Sequence, residues 1–136
     1  MAYRDMFASV ARELNRNGRH SEAVEILDMG QNVMKPQQFP LDITYLHLGN
    51  EMAVISMVEQ YYKAGAVEKA RDLARRFVDE MMVSLKFFYS NYPADKTDFE
   101  SVATYLFYLS DDVVAKNGDE EFAKEVTSRI DSIVEL

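Results

Sequence analysis

The sequence predicts an all-α fold of about six helices, and three observations support this prediction. Apolar residues recur at three- and four-residue steps through most of the 136-residue chain. Its five glycines and three prolines are concentrated at a few points, which favours long helices over many short strands. A glycine is also followed five residues later by an alanine in three places, at positions 18 and 23, 65 and 70, and 118 and 123. This spacing is typical of helical hairpins, because the glycine ends one helix and the small residue lies where the next helix crosses closely.

These breaks divide the chain into three antiparallel hairpins within a single domain covering residues 1–136. A chain of this length can bury a sizeable core without disulfides or a metal. The hairpins are expected over about residues 3–35, 42–89 and 98–135.

The first hairpin has an apolar stripe from Phe7 to Leu14 on one face of a helix that Gly18 ends. Ser21 is the expected N-cap of the second helix, and Pro36 stops that helix. This proline and the next one, four residues later, indicate a non-helical connection.

The second hairpin contains the longest expected helix. Asp42 is a candidate N-cap for its first helix, whereas Gly49-Asn50 leaves open whether that helix kinks or begins there. In its second helix, apolar residues stay in phase for more than five turns from Val67, so this helix should reach about Tyr89.

The third hairpin begins with a capping-box pattern at residues 97–100. The helix that follows should continue to about Lys116, and it is apolar around more than half its circumference, so we expect it to be largely buried. Asp119 is the expected cap of the last helix.

The formal charge of −8 is unevenly distributed along the chain. Residues 95–136 contain eleven acidic and four basic side chains, whereas the first 94 residues are nearly neutral. An acidic surface repels phosphate backbones and anionic lipids, which argues against nucleic-acid binding and against charge-driven membrane binding. A solvated acidic face and an acidic docking patch both fit this pattern.

The sequence contains no run of apolar residues near the roughly 20 that a membrane-spanning helix needs. Its first residues also lack the basic and apolar regions of a secretory signal. We therefore expect no direct membrane insertion by this chain. A helix that begins so close to the first residue is compatible with a fragment of a longer protein.

No motif in the sequence identifies a reaction. The absence of cysteine excludes thiolate metal sites and thiol redox chemistry. His20 and His47 are the only histidines, and no His-x3-His or Glu-x-x-His spacing brings metal ligands together. Neither a Gly-x-Ser-x-Gly elbow nor a glycine-rich phosphate loop is present. Asp111 and Asp112 are adjacent, so on a helix they point about 100° apart, which is wrong for a two-acid site. We therefore predict no catalytic residue, no metal site and no cofactor.

The residues around the three glycines resemble the tetratricopeptide pattern of aromatic, large and small positions. The first unit matches at Phe7, Val10, Ala11, Leu14, Gly18, Ala23, Leu27, Gly30 and Pro36. The second matches at Val54, Met57, Val58, Tyr61, Gly65 and Ala70, but it exchanges large and small residues at Ala74 and Phe77.

The third unit departs further from this pattern. It keeps Phe107, Val114, Gly118 and Ala123, but it has Ser110-Asp111 where packing residues belong and Thr127 where an aromatic belongs. The glycines are 47 and 53 residues apart, whereas the standard repeat is about 34 residues long. The resemblance therefore implies a tetratricopeptide-like right-handed stack with irregular repeat lengths.

Residues 7–27 and 59–70 also resemble the soluble C-terminal region of a family of large bacterial multi-pass membrane proteins. The membrane part of those proteins is glycosyltransferase-like. This resemblance implies that catalysis lies in a membrane part outside this chain, so it supplies no catalytic residue here. It also implies the periplasmic side of the bacterial inner membrane, with the membrane part of the parent chain as a partner.

A surface is the better functional candidate. In tetratricopeptide-like folds the first helix of each hairpin lines the inner groove. In this sequence the helical positions that would face the groove are Arg12, Arg16, Ile55, Glu59, Tyr62, Lys63, Tyr105, Tyr108 and Asp112. Aromatic residues with charged neighbours suit an extended or helical protein segment. The same pattern arises if Ile55, Tyr105 and Tyr108 simply pack against neighbouring helices. The aromatic-rich stretch 85–93 is a second candidate, either as a docking surface or as a loop anchor.

The sequence therefore favours a non-enzymatic interaction or docking domain that belongs to a larger bacterial membrane protein and binds a protein or peptide. The main alternative is a stand-alone adaptor that binds a peptide segment in its groove. A small helical enzyme with an unrecognised site is the third hypothesis.

Overall fold

The computed structural model describes residues 2–33, 48–91 and 97–134, and the regular structure in these ranges is all helical. The α-helices are α1 (Ala2–Arg16), α2 (His20–Val33), α3 (Leu48–Lys63), α4 (Val67–Asn91), α5 (Thr97–Tyr108) and α6 (Glu120–Val134). A π-helical segment (Leu109–Val114) and a 3₁₀ segment (Ala115–Asn117) connect α5 to the last turn. The predicted all-α class is confirmed for the described residues.

Several predicted boundaries need correction. The helix expected to end near Tyr89 continues to Asn91. The helix expected to run to Lys116 is α-helical only as far as Tyr108. Ser21 is not an N-cap, because α2 already begins at His20. The proposed cap at position 42 and the connection around it lie outside the described residues, whereas α3 includes both residues of the Gly49-Asn50 pair.

The turn glycines end their helices with the same backbone hydrogen bonds. Gly65, with φ of 83°, donates its N–H to the carbonyl three residues back at 3.0 Å, and Ala66 donates to the carbonyl five residues back at 2.9 Å. This is the Schellman arrangement, and its left-handed residue carries little strain only when it is glycine. The same pair of bonds and the same left-handed glycine recur at Gly18 and Gly118.

The alanine five residues after each of these glycines is buried. Ala23 and Ala70 are fully buried, and Ala123 is 7% exposed. Each donates its N–H to the carbonyl four residues back, so each lies in the first turn of the helix that follows the glycine. A small side chain at this point allows the two neighbouring helices to approach closely.

Helix α3 is central to the packing. It contacts α1, α2, α4 and the π and 3₁₀ segments. The core around it consists of large side chains from most of the described helices, including Leu27, Val58, Tyr61, Leu73, Phe77, Met81, Leu106, Leu109 and Ile130. Helices α1 and α2 pack closely where Gly30 meets Phe7. A Cβ atom at Gly30 would lie only 2.8 Å from Cγ of Phe7, so this contact requires a residue without a side chain.

Polar pairs between the even-numbered helices show that these helices run in the same direction. From α2 to α4 the pairs are Asp28 with Lys69 and Gln31 with Arg76. From the start of α6 onward, its pairs with α4 are Asp119 with Arg71, Glu125 with Arg75 and Arg129 with Asp79. Residue numbers increase together on both sides of each set, as parallel helices require. Among the described helices, none combines the length and the apolar character needed to cross a membrane.

We predict that Ala70→Leu overpacks the contact that follows the Gly65 turn, because the site is fully buried and close-packed. The expected loss is about 1 to 3 kcal/mol in the free energy of unfolding, measured by urea denaturation. Val67→Leu is the matched control, because Val67 is on the same helix and 37% exposed. An unchanged urea midpoint for Ala70→Leu would show that the two helices do not cross closely there.

Candidate protein-binding face

One strip of α3 is left uncovered by the neighbouring helices. It contains the exposed Lys63 and the half-buried Ser56 and Glu59. At 100° per residue, this strip lies in the arc between Gln60 and Tyr62. On one side, Gln60 accepts hydrogen bonds from the side-chain amide of Asn15 on α1, at 3.0 Å to both its backbone and side-chain oxygens. On the other side, the Tyr62 hydroxyl donates to Asp119 at 2.7 Å. The strip therefore runs between α1 and the third pair of helices.

Two arginines of α1 border this strip. Arg12 and Arg16 lie about 60° and about 100° around the helix from Asn15, on the side away from the buried Ala11. Arg12 is half-buried and Arg16 is exposed. Since Asn15 faces α3, both residues lie on the side of α1 that adjoins the α3 strip. Arg16 also forms an exposed ion pair at 3.5 Å with Glu13 of its own helix.

The π-helical segment supplies the third part of the face. It packs against α3, and its residue Ser110 is fully buried, with Oγ donating to the carbonyl of Ala123 at 3.0 Å. Tyr108 immediately precedes the segment and is 39% exposed. The two carboxylates of Asp111 and Asp112 are both exposed. This part of the face is therefore aromatic and acidic.

We name the uncovered residues Arg12, Arg16, Ser56, Glu59, Lys63, Tyr108, Asp111 and Asp112 the first-helix face. Six of them were predicted from the sequence. Ser56 and Asp111 were not, although both lie in phase with predicted members.

Three predicted members of the face are placed elsewhere. Ile55 is 1% exposed and packs in the core, and Tyr62 is 8% exposed with its hydroxyl bonded to Asp119. Tyr105 is half-buried against the same core. Ile55 and Tyr62 are therefore corrected to packing residues, because the third pair of helices covers the side of α3 from which they project. The second candidate, stretch 85–93, includes residues outside the described ranges.

Within residues 2–33, 48–91 and 97–134, the charges of the first-helix face have no ion-pair partner on a neighbouring helix. Among the described residues, Arg12, Glu59, Lys63 and Asp112 take part in no ion pair, and the only pair of Arg16 is within α1. The face is therefore electrostatically unmatched by the described part of the chain.

The charges on the even-numbered helices show the opposite arrangement. Lys69 of α4 is paired with Asp28 of α2, and Arg129 of α6 donates to Asp79 of α4 at 2.7 Å. Arg75 lies 5.0 Å above the ring of Phe122. Several charged side chains on this side thus pair across helices.

The most buried of these pairs centres on Asp119. Its carboxylate accepts two hydrogen bonds from Arg71 and one from the hydroxyl of Tyr62, each at 2.7 Å. The Asp119 side chain is 7% exposed and that of Arg71 is 30% exposed. Asp119 also accepts a backbone hydrogen bond from Phe122 in the first turn of α6. The predicted N-cap is confirmed, and it also joins α3, α4 and α6.

These contacts shift the pKa values of all three side chains. The hydrogen bonds from Arg71 hold the pKa of Asp119 below its ordinary value, although burial opposes this shift. The hydrogen bond to Asp119 raises the pKa of Arg71. Burial raises the pKa of Tyr62, and the neighbouring carboxylate raises it further. The carboxylate is therefore charged and the phenol neutral at neutral pH.

A second network of side-chain hydrogen bonds connects α2, α3 and α4. The buried hydroxyl of Tyr61 donates to Asp28 at 2.7 Å and accepts from the Gln31 amide at 2.6 Å. Gln31 in turn accepts from Arg76 at 3.0 Å. Burial raises the pKa of Tyr61, and the bond to Asp28 adds to this shift. The position of Tyr61 in the apolar pattern of α3 predicts its burial but not these two partners, which are 33 and 30 positions away along the chain.

A polar groove of about 600 Å³ lies between α2 and α4, next to these hydrogen bonds. Its charged residues include Asp28, Lys69 and Arg76, and Leu73 is its apolar residue. Asp28 and Lys69 neutralise each other, and Arg76 is held by Gln31. We therefore assign the candidate site to the first-helix face and not to this groove.

The described residues contain no group of three or more His, Asp or Glu side chains that could hold a metal ion. Comparison with protein-family models, with curated proteins and with solved structures gave no match.

We predict that Asp119→Asn lowers stability in a pH-dependent way. Asn remains a good N-cap, so the change mainly removes the charge that Arg71 binds. Because the pKa of Asp119 is lower when the protein is folded, the charge stabilises the fold above the unfolded pKa of about 3.9 and less as the pH falls through the folded pKa. The expected loss at pH 7 is about 1 to 3 kcal/mol.

Urea unfolding between pH 2.5 and 7 measures this effect, and the difference between the two proteins should shrink as the pH falls below about 4. Asp131→Asn is the control, because Asp131 is an exposed acid of α6 without an ion pair in the described structure. A loss that is the same at every pH would contradict the assigned ion pair.

Proposed function

We propose that this chain is a non-catalytic helical-repeat domain that binds a protein segment on its first-helix face. The observation that carries the proposal is the contrast between the two sides of the molecule. Four ion pairs join α4 to α2 or to α6 and its N-cap, whereas in the described part of the chain no charged residue of the first-helix face pairs with another helix. A partner that supplies opposite charges would complete this face, and complementary charge gives such contacts their specificity and fast association.

The repeated turn supports a tetratricopeptide-like stack of three hairpins. The same Schellman bonds and buried alanine occur three times, and the second helices of the proposed hairpins run parallel to one another. In such a stack the first helices lie side by side. Their outward surfaces then form one continuous face suited to an extended or helical segment.

The π-helical segment supports the third hairpin as a member of this stack. Ala11 and Val58 lie seven residues before their turn glycines and are fully buried, but the residue at that distance before Gly118 is the exposed Asp111. A π-helical turn accommodates one extra residue. Ser110, which is buried against α6, then occupies the position of the small packing residue. On this basis the mismatch at Ser110-Asp111 is a one-residue insertion.

The resemblance to bacterial membrane proteins suggests a particular form of this function. In that form the chain is the soluble C-terminal part of a larger protein with a glycosyltransferase-like membrane region, and the face docks on that region or on a protein beside it. The alternative is a stand-alone adaptor whose face binds a peptide of another protein. The identity of the bound segment separates the two forms.

We predict that a photo-crosslinking phenylalanine derivative at position 63 or 108 forms a defined adduct in cells of the source organism. Both positions are exposed on the first-helix face, so a segment bound there lies within reach of the reactive group. Mass spectrometry of the adduct identifies the bound segment. Peptides from the membrane part of the parent chain would support docking, and peptides from another protein would support the adaptor.

The control has the same derivative at position 124. Lys124 is exposed on α6, outside the first-helix face, and it has no ion pair in the described structure. Equal labelling at all three positions, or no adduct at 63 and 108, would contradict binding at this face.

A further inference from the structure

A basic residue stands at the same place before each of the three turn glycines. Two residues before each glycine the chain has Arg16, Lys63 and Lys116, and all three are exposed. The same pair of backbone hydrogen bonds closes each turn, so these residues occupy equivalent positions relative to their turns. We name Arg16, Lys63 and Lys116 the cation row.

Hydrogen bonds between the helix ends bring the members of the cation row side by side. Asn15 near the end of α1 donates to Gln60 near the end of α3 at 3.0 Å. Tyr62, also near the end of α3, donates to Asp119 just beyond the third turn at 2.7 Å. Lys63 therefore lies between the other two members. Packed helices lie about 8 to 10 Å apart, so the row is about 20 Å long with one charge about every 10 Å.

The helix dipole does not by itself explain the cation row. A basic residue in the last turn of any helix interacts favourably with the dipole. Each of the three segments that precede a turn glycine ends with such a residue, whereas α2, α4 and α6 have none in their last turns. The basic residues therefore follow the shared face of these segments and not helix ends in general.

The cation row also lacks partners on other helices. In the described part of the chain Lys63 and Lys116 take part in no ion pair, and Arg16 has only its exposed pair with Glu13 of the same helix. An exposed pair of this kind contributes little free energy. In a chain with a formal charge of −8, three neighbouring cations without such partners form a local site for an anionic group.

The residues one helical turn earlier limit the width of that anionic group. They are Arg12, Glu59 and Asp112, so two of these three positions are acidic. Four residues of a helix rise about 6 Å, which separates the two rows. A nucleic-acid duplex is wide enough to bring phosphates against both carboxylates, which repel them. An extended peptide needs only about 5 Å, so it can lie on the cation row alone.

We propose that the cation row binds an extended acidic protein segment whose carboxylates are spaced about 10 Å apart. This inference rests on the proposed function and names the chemical class of segment that the first-helix face binds. In the polyproline II conformation every third side chain lies on the same side of the segment, at intervals of about 9 Å. Acidic residues at every third position then meet the three cations in turn.

The probe is a synthetic peptide of seven residues with glutamate at its first, fourth and seventh positions and proline at the others. Its prolines hold the polyproline II conformation, and it carries capped ends and a neutral fluorescent dye. The control peptide has the same composition with its three glutamates adjacent in the middle. Because the contacts are few and exposed, we expect a dissociation constant of about 0.1 to 1 mM for the spaced peptide, and binding about fivefold weaker for the control.

Fluorescence anisotropy at low and high salt measures the binding, which salt should weaken. Lys63→Glu should weaken binding of the spaced peptide about tenfold, because Lys63 is the middle member of the row. Arg16→Glu and Lys116→Glu should each weaken it about threefold or more. Lys124→Glu is the matched control, because it makes the same charge change on an exposed residue of α6 and should leave binding within about twofold.

Circular dichroism of each variant establishes that its helices are retained. Equal binding of the spaced and control peptides would overturn the proposal, because the spacing of the row would then have no effect. An equal loss of binding in Lys124→Glu and Lys63→Glu would also overturn it, since overall charge would be the cause. A single-stranded DNA oligonucleotide that binds more tightly than the spaced peptide would point to a nucleic-acid ligand instead.

The outcome for the cation row can be separated from the outcome for the proposed function. If the spaced peptide does not bind but position 108 crosslinks to a defined segment, the acidic segment is wrong and the binding face stands. If the crosslinked segment has acidic residues at every third position and Lys63→Glu weakens peptide binding, both are supported. If neither peptide binds and positions 63 and 108 form no adduct, both are wrong.

Discussion

The arrangement of the described helices depends on one carboxylate, that of Asp119. It caps α6, accepts two hydrogen bonds from Arg71 of α4 and one from Tyr62 of α3. Removing both charges from water costs free energy that largely offsets their attraction, so a large net gain in stability is not expected. The effect is on geometry. Moving α6 from this position would separate Asp119 from Arg71 and Tyr62, and a carboxylate or phenol that stays buried without a partner costs much more than an exposed mismatch.

The position of α6 in turn determines which charged side chains find ion-pair partners within the chain. With α6 held beside α4, Arg75 and Asp79 find partners on it, and α2 makes equivalent contacts from the other side of α4. Four ion pairs thus join α4 to α2 or to α6 and its N-cap. No comparable contact reaches Arg12, Glu59 or Lys63 in the described structure. The unmatched face is therefore a consequence of helix order and is not explained by an excess of charged residues.

The sequence predicted those features that depend on neighbouring residues. The turn at Gly65, the buried Ala70 and the cap at Asp119 follow from local backbone chemistry, and all three are present. The covering of Ile55 and Tyr62 was missed, because helical phase shows which side a residue is on but not which helix packs there. The bonds of Tyr62 and Arg71 to Asp119 join residues 57 and 48 positions apart, which spacing within a helix cannot reveal. Exposed Phe107 and Tyr108 likewise correct the expectation of a largely buried fifth helix.

The π-helical segment was the least predictable element, and it has the largest effect on the candidate site. Its extra residue is retained because Ser110 fits against α6, where Oγ reaches the carbonyl of Ala123 and lies 3.0 Å from Oγ1 of Thr127. Because the π-helical turn accommodates the extra residue, Asp111 and Asp112 are both exposed at one end of the face. For the proposed binding, this irregularity gives the face a direction from basic to acidic. A partner laid across it in reverse would place like charges opposite one another, and such contacts disfavour wrong orientations more strongly than correct pairs favour right ones.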